Sequence, residues 1–356
     1  MPVTHDQVMS ALRTVQDPEL FKDIVTLNMV KEVKIDGDVV QVQVELTTPA
    51  CPLKEVIERD VRAALAKIGA QTVQLRITAN TRGPLQARKD ILPQVKNILA
   101  VGAGKGGVGK STVALNLAVA LPRQGAAVGL MDGDIYGPSM PTMLGIKGQP
   151  PEVKENHLLP FHVHAIYAVT IGALVEEDKP LIWRGPMAHG AFKQLLLDNT
   201  VWPALDYLIV DLPPGTGDVP LTLCQLLPLT GAVVVATPQQ VALDDCIRAI
   251  RMFQTLKTSI LGIVENMSYL RMPGGVEIDI FGRGGAQAAA QRLGVPFLGA
   301  LPMYPELRVN SDAGNPTANF ENNPDLRHDL EQIAKNLAGQ VSIRNMQQPP
   351  PELNIT

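Results

Sequence analysis

The sequence predicts an α/β protein: a mostly parallel sheet with helices on both faces, preceded by a small α/β domain. Two observations carry this. From residue 95 onward, short continuous apolar runs at 98–101, 127–131, 208–210, 232–236 and 260–264 alternate with helical segments. Unbroken apolar runs are the mark of strands buried on both faces, as in a parallel sheet covered by helices. Residues 1–80 have a different texture, with amphipathic helices around strands that alternate apolar and polar residues. Between the two, 81–94 contains Arg82, Gly83-Pro84, Arg88, Lys89 and Pro93 without any period, which reads as a linker.

The elements follow in order. Thr4 is a candidate N-cap, with Val8, Leu12 and Val15 on one helical face; Asp17-Pro18-Glu19 is expected to end that helix. Residues 33–35 and 39–46 alternate around Asp36-Gly37-Asp38, a strand–turn–strand signal. Cys51-Pro52 is expected to start a helix running to about residue 68, burying Val56, Ile57, Val61, Leu65 and Ile68, with a third strand at 73–77. The larger domain is expected to span 95–340. Residues 341–356, with Pro349-Pro350-Pro351, read as a disordered tail.

Composition narrows the function. The 356 residues are 46% hydrophobic and 19% charged, which excludes a disordered chain. Aromatics are 4%, too few for a base-stacking platform. A net charge of −4 and a pI near 5.9 disfavour binding to nucleic acid or an anionic membrane. Cys51, Cys224 and Cys246 form no C-x-x-C and no disulfide framework. With no signal or transit peptide and no long apolar run, the expectation is a reducing compartment and no membrane span.

The strongest motif is Gly104-Lys105-Gly106-Gly107-Val108-Gly109-Lys110-Ser111-Thr112, which fits G-x-x-x-x-G-K-[ST] between an expected strand and an expected helix. Glycines let successive backbone N–H groups face one anion, and the helix N-terminus adds partial positive charge. Lys110 is expected to reach the β- and γ-phosphates of ATP, and the Ser111 hydroxyl to bind Mg²⁺. Asp206-Tyr207-Leu208-Ile209-Val210-Asp211 ends a buried strand in a carboxylate, the Walker B arrangement. Asp211 there is expected to hold Mg²⁺ through water. Met131-Asp132-Gly133-Asp134 stands where P-loop enzymes place switch I. Pro213-Pro214-Gly215-Thr216-Gly217-Asp218 supplies a rigid switch II whose Gly215 N–H is placed to sense the γ-phosphate.

The loop, with its extra Lys105, closely resembles the deviant Walker A group of P-loop ATPases, which includes MinD, ParA, the arsenite-pump ATPase and nitrogenase iron protein. That resemblance implies a P-loop NTPase fold and a nucleotide-sandwich homodimer, in which Lys105 reaches the partner's nucleotide. It also implies that Asp134 positions the attacking water and that Asn266 reads adenine. Asp134-Ile135-Tyr136-Gly137-Pro138-Ser139, Thr237-Pro238-Gln239 and Val264-Glu265-Asn266-Met267-Ser268-Tyr269 resemble the Mrp/ApbC branch over about 95–320. Asp17-Pro18-Glu19 and Thr47-Thr48-Pro49-Ala50-Cys51-Pro52 resemble the small iron–sulfur-assembly domain often fused to it. What this implies is a slow ATPase of the bacterial cytoplasm that carries iron–sulfur clusters and delivers them to apoproteins.

One departure matters. Members of that branch carry C-x-x-C shortly after the Glu-Asn-Met-Ser segment. Here those positions are Met272 and Gly275, so the bridging cluster site does not carry over. Cys51, at an expected helix start, is then the candidate cluster ligand. Cys224 and Cys246 lie in apolar helical stretches and read as structural, and His162 and His164 lack a third ligand. Two alternatives stay open: a MinD/ParA-like positioning ATPase, and a nucleotide-switched regulatory protein that has lost cluster binding.

Overall fold

The computed structural model describes residues 3–18, 20, 22–36, 39–81, 83, 91–134, 137–173, 190, 193, 198–272 and 275–347. The chain divides into two compact units, Met1–Arg82 and Gly83–Thr356.

In the smaller unit, helix α1 (His5–Leu12) is closed by a capping box. The Thr4 hydroxyl accepts the Gln7 N–H at 3.3 Å, and the Gln7 side chain accepts the Thr4 N–H at 2.9 Å. The helix stops before Asp17-Pro18 is reached. Thr14 donates its hydroxyl to the Ala11 carbonyl at 2.7 Å, and Gln16–Asp17 then pairs with Lys22–Asp23. Strands β1 (Val30–Asp36) and β2 (Val39–Leu46) are antiparallel. Their turn residues Gly37 and Asp38, like Glu19, lie outside the described residues. Strand β3 (Thr72–Ala79) joins β2 in parallel after the crossover helix α2 (Lys54–Lys67). Val40, Val42, Val44 and Leu46 bury one face of β2 in a core with Val8, Leu12, Ile57, Val61 and Leu65.

Helix α2 begins later than expected. Its N-cap is Leu53, and Cys51 stands two residues ahead of that cap. Residues 51–54 form a turn ahead of it, with the Lys54 N–H directed at the Cys51 carbonyl at 3.5 Å.

Among the described residues the larger unit is built on a nine-stranded sheet. In chain order the elements are β4 (Val95–Gly102), α3 (Lys110–Ala120), β5 (Val128–Asp132), α4 (Met140–Met143), β6 (Phe161–Val163) and β7 (Ile166–Thr170). Then come β8 (Leu205–Asp211), α5 (Asp218–Leu226), β9 (Gly231–Ala236), α6 (Gln240–Thr255), β10 (Ile260–Arg271) and β11 (Glu277–Ile278). The unit closes with α7 (Gly285–Leu293), β12 (Phe297–Met303), α8 (Pro305–Asp312) and α9 (Pro324–Gln347). Across the sheet the order is β6-β7-β5-β8-β4-β9-β10, and β10 also pairs with β11 and β12. All pairings are parallel except β6–β7 and β10–β11.

Parallel pairing gathers the C-terminal ends of β4, β5 and β8 on one rim, where ligand sites of such sheets lie. The register is specific: Asp211 stands beside Val101 on one side and Asp132 on the other. Helix α3 starts on that rim and is buried nearly all round, from Val113 to Ala120. A helix apolar on every side belongs inside a core. Its one polar interior residue, Asn116, donates to the Thr112 carbonyl and accepts from Asn319, so no amide is left unpaired. Among the described residues no helix is long and apolar enough to cross a membrane.

The tail expectation requires correction. Helix α9 runs through Gln347, and Val341, Ser342 and Asn345 are buried. Leu330, Ile333, Ala334, Leu337 and Val341 continue one apolar stripe, and Asn345 donates to Asn97 of β4 at 2.8 Å. The stripe therefore carries the helix past residue 340; 348–356 lie outside the described residues. Truncating Val341 to Ala should destabilise the larger unit by about 2 kcal/mol, the value of two lost buried methyl groups. A urea midpoint equal to that of the parent chain would return this segment to the tail.

Candidate functional site

The site grows from the loop between β4 and α3. Its first glycine, Gly104, lies flat on helix α6: a Cβ there would run into the Asp245 carbonyl. Gly109 has φ +80°, and a Cβ on it would occupy the place of the Asn266 amide. That amide donates to the Val108 carbonyl at 2.8 Å. The loop is thus clamped from α6 on one side and β10 on the other. Gly106 and Gly107 are exposed, with open space above them. An exposed run of backbone N–H groups leading into a helix N-terminus is a phosphate cradle.

Behind the loop Lys110 is buried at the first residue of α3. Its ammonium lies 2.6 Å from Asp211 Oδ1, 3.7 Å from Asp134 Oδ2 and 3.2 Å from the Ser111 hydroxyl. Asp132, fully buried, adds a third carboxylate from the neighbouring strand. Burial and then the negative charge of Asp211 raise the Asp132 carboxyl to about 7. Burial also pushes the Asp211 carboxyl up, against the pull of Lys110.

The second oxygen of Asp211 is buried and takes no hydrogen bond among the described residues. This orphaned acceptor, next to the Ser111 hydroxyl and in surplus negative charge, fits a hydrated Mg²⁺. That ion keeps most of its waters and takes one or two protein oxygens. Among the described residues no three His, Cys, Asp or Glu side chains converge as a ready-made metal cage.

The other expected residues fall as follows. Asp134 is buried at the mouth of the site, and its Oδ1 accepts the Gly137 N–H at 3.2 Å. Gly215, at φ +94°, gives its N–H to the Ala103 carbonyl at 2.9 Å, so in this conformation the expected γ-phosphate sensor is engaged with the loop strand. Asn266 holds Val108, as described. Lys105 is half-buried in the loop, and Thr112 is the third residue of α3. A cavity of about 420 Å³ opens between Asp134 and Gly137 on one wall and Pro213, Pro214 and Asp218 on the other.

The cysteines fall in both units. Cys51 belongs to the smaller unit, half-buried against its core. Cys224 and Cys246 are buried in α5 and α6, and burial pushes both thiols up to about 12. His162 and His164 are not a metal pair. His162 is exposed and stacks on Tyr167, whereas His164 sits in a turn at φ +52° and bonds the Leu144 carbonyl and Thr317 hydroxyl. Met272 and Gly275 lie in the β10–β11 hairpin, which is braced by Arg271 and Arg283 around Tyr269 and Glu277.

Sequence reading missed Glu265. Wholly buried, it accepts the Ser268 hydroxyl at 2.5 Å and the Gly284 and Ala286 N–H groups at 3.0 and 2.8 Å. It is the N-cap of α7 supplied from a strand some twenty residues earlier, and it fixes the segment that carries Asn266. The available signal was a lone charge closing the apolar run 260–264.

The Asp132 carboxyl makes stability pH-dependent. Its folded value of about 7 lies above the ordinary 3.8, so between them the folded state holds a proton that the unfolded state lacks. This contribution is full below about 4 and is lost as pH rises through 7, with a slope of at most about 1.4 kcal/mol per pH unit. Urea unfolding of the nucleotide-free protein from pH 5 to 8 should show this fall, and Asp132→Asn should flatten it. Parallel curves for the two proteins would remove Asp132 as the cause.

Comparison with known proteins gives the family. Residues 94–338 match the family model described as NUBPL iron-transfer P-loop NTPase, and residues 5–75 match the iron–sulfur cluster assembly protein model. The chain is 46% identical to the iron–sulfur cluster carrier protein of Deinococcus radiodurans, covering 99% of each chain. It is 48% identical to the one from Synechocystis sp., covering 96% of this chain and 99% of that one. A nucleotide-binding protein from Archaeoglobus fulgidus, solved with ADP, superposes with a TM-score of 0.59 at 37% identity, over 67% of this chain and 93% of the other. With residues 94–338 matched by the family model and 99% of its length shared with a relative at 46% identity, the chain belongs to the NUBPL iron-transfer P-loop NTPase family.

Proposed function

We propose that this protein is an ATP-hydrolysing carrier that receives iron–sulfur clusters and delivers them to apoproteins, working as a homodimer in the cytoplasm. The observation that carries the nucleotide part is the convergence of Asp211, Asp134 and Ser111 on the Lys110 ammonium beneath an open glycine loop. The cargo is supported by full-length similarity to proteins named as iron–sulfur cluster carriers.

In this reading the glycine loop wraps the phosphates. Lys110 exchanges its contact with Asp211 for the β- and γ-phosphates, which frees Asp211 to face the cation. Ser111 and, through water, Asp211 would hold Mg²⁺, which would supply charge neutralisation at the phosphates. Asp134 orients the attacking water, Lys105 reaches the partner's nucleotide, Asn266 reads adenine, and Gly215 senses the γ-phosphate once released from Ala103. Gly104, Gly106, Gly107, Val108, Gly109 and Thr112 complete the cradle.

Cys51 is the cysteine proposed to touch the cargo. The other two thiols are buried and held in the neutral form, a poor state for a metal ligand. The second reading, a nucleotide switch without cargo, is favoured by one observation: Met272 and Gly275 supply no thiolate to the β10–β11 hairpin.

Two experiments test this. Lys110→Ala should abolish ATP binding by calorimetry. Lys105→Ala should leave that affinity within about threefold and lower hydrolysis at least tenfold, as for a charge acting only near the transition state. Unchanged affinity in the first variant, or unchanged turnover in the second, overturns the corresponding role. For the cargo, the protein is reconstituted anaerobically with iron and sulfide, and iron content and transfer to an apoprotein are measured. Cys51→Ser should reduce both, whereas Cys224→Ser and Cys246→Ser should cost only modest stability. Absence of cluster in the parent protein would favour the switch reading.

A further inference from the structure

We infer that Thr170 is a positioning residue for Asp134: its hydroxyl fixes the Asp132 carboxylate, and that carboxylate fixes the backbone from which Asp134 faces the nucleotide. The inference rests on the reading of Asp134 as the group that orients the attacking water.

Thr170 is the last residue of β7, buried, and stands opposite Asp132 in the parallel β7–β5 pairing. Its Oγ1 donates to Asp132 Oδ2 at 2.7 Å and accepts the Gly172 N–H at 3.1 Å, so both capacities of the hydroxyl are used. The other oxygen of Asp132 accepts the Asp134 N–H at 3.1 Å. Between them, the Gly133 N–H goes to the Asp211 carbonyl at 2.9 Å. The backbone leaving β5 is therefore held at two successive N–H groups, one by β8 directly and the other by β7 through the Thr170–Asp132 pair.

Asp132 costs the fold a buried charge-bearing group beside Asp211, and a plain apolar residue would serve packing better. Yet both of its oxygens are spent on Thr170 and Asp134, and neither touches Lys110 or Ser111. Its geometry is that of a bracket between two strands and a loop. What the bracket holds is the start of the segment whose next side chain, Asp134, sits 3.7 Å from the Lys110 ammonium. Without the Thr170 hydroxyl, Asp132 loses the donor that sets its rotamer, and the Asp134 N–H loses a fixed acceptor. Displacement of a water-orienting carboxylate by a fraction of an ångström acts on turnover rather than on nucleotide binding.

The test compares Thr170→Val, which keeps the shape and removes the hydroxyl, with Thr170→Ser, which keeps the hydroxyl. For the Val variant, kcat for ATP should fall about tenfold while KM and ATP affinity stay within about twofold. The Ser variant should recover turnover to within about twofold of the parent. Hydrogen–deuterium exchange should rise in peptides covering 132–140 of the Val variant and stay unchanged across 104–112. Parent-like kcat in the Val variant overturns the inference. So does a fall in kcat matched by lost ATP affinity and faster exchange throughout the sheet, which marks a purely structural residue. Should the parent protein itself hydrolyse no ATP, the ATPase reading fails. The exchange arm then still decides whether Thr170 holds the Asp134 segment, and unchanged exchange over 132–140 overturns it.

Discussion

A buried ammonium organises the larger unit. Lys110 has almost no contact with solvent, and the Asp211 oxygen 2.6 Å away is itself inaccessible. A charge in that position is tolerated only with its partners in place, since removing one partner of a buried pair costs about 3–5 kcal/mol. The carboxylates must therefore arrive at one spot, and the sheet register delivers them: Val101, Asp211 and Asp132 are neighbours across three parallel strands. The apolar character of α3 follows from the same requirement. A helix that presents a charged residue at its first position, under the loop, needs every other face gripped by the core to keep that residue in place.

Much of this was legible in the sequence because it is local. A glycine loop, a strand before it and a helix after it are consecutive, and unbroken apolar runs announce buried strands directly. The features that escaped are set by partners distant in the chain. Glu265 caps a helix that begins twenty residues later, and Thr170 meets Asp132 only because β7 and β5 are adjacent. Element ends failed for identifiable reasons. A turn over 51–54 precedes α2, and the apolar stripe carries α9 through Val341 although prolines follow at 349–351. The β10–β11 hairpin was not anticipated, because its bracing by Arg271, Arg283 and Glu277 resembles an ordinary solvated charge run.

The thiols divide sharply between the two units. In the larger one, Cys224 and Cys246 are packed as small apolar groups and kept protonated, and the hairpin offers Met272 and Gly275, neither of which supplies a thiolate. That hairpin presents apolar side chains to solvent, among them Met272, Val276 and Ile278. In the smaller unit, Cys51 is half-buried against the core.

The contact between Asn266 and the loop has a consequence for how such a protein can diverge. Gly109 is bare because the Asn266 amide fills the space a side chain would need, and that amide in turn holds the Val108 carbonyl. A larger group at 266 would press on the loop, and a smaller one would leave Val108 without its donor. The two positions are locked as a pair. Drift at either is open only along paths where the other changes in the same step, which makes this corner of the fold slow to explore new nucleotide preferences.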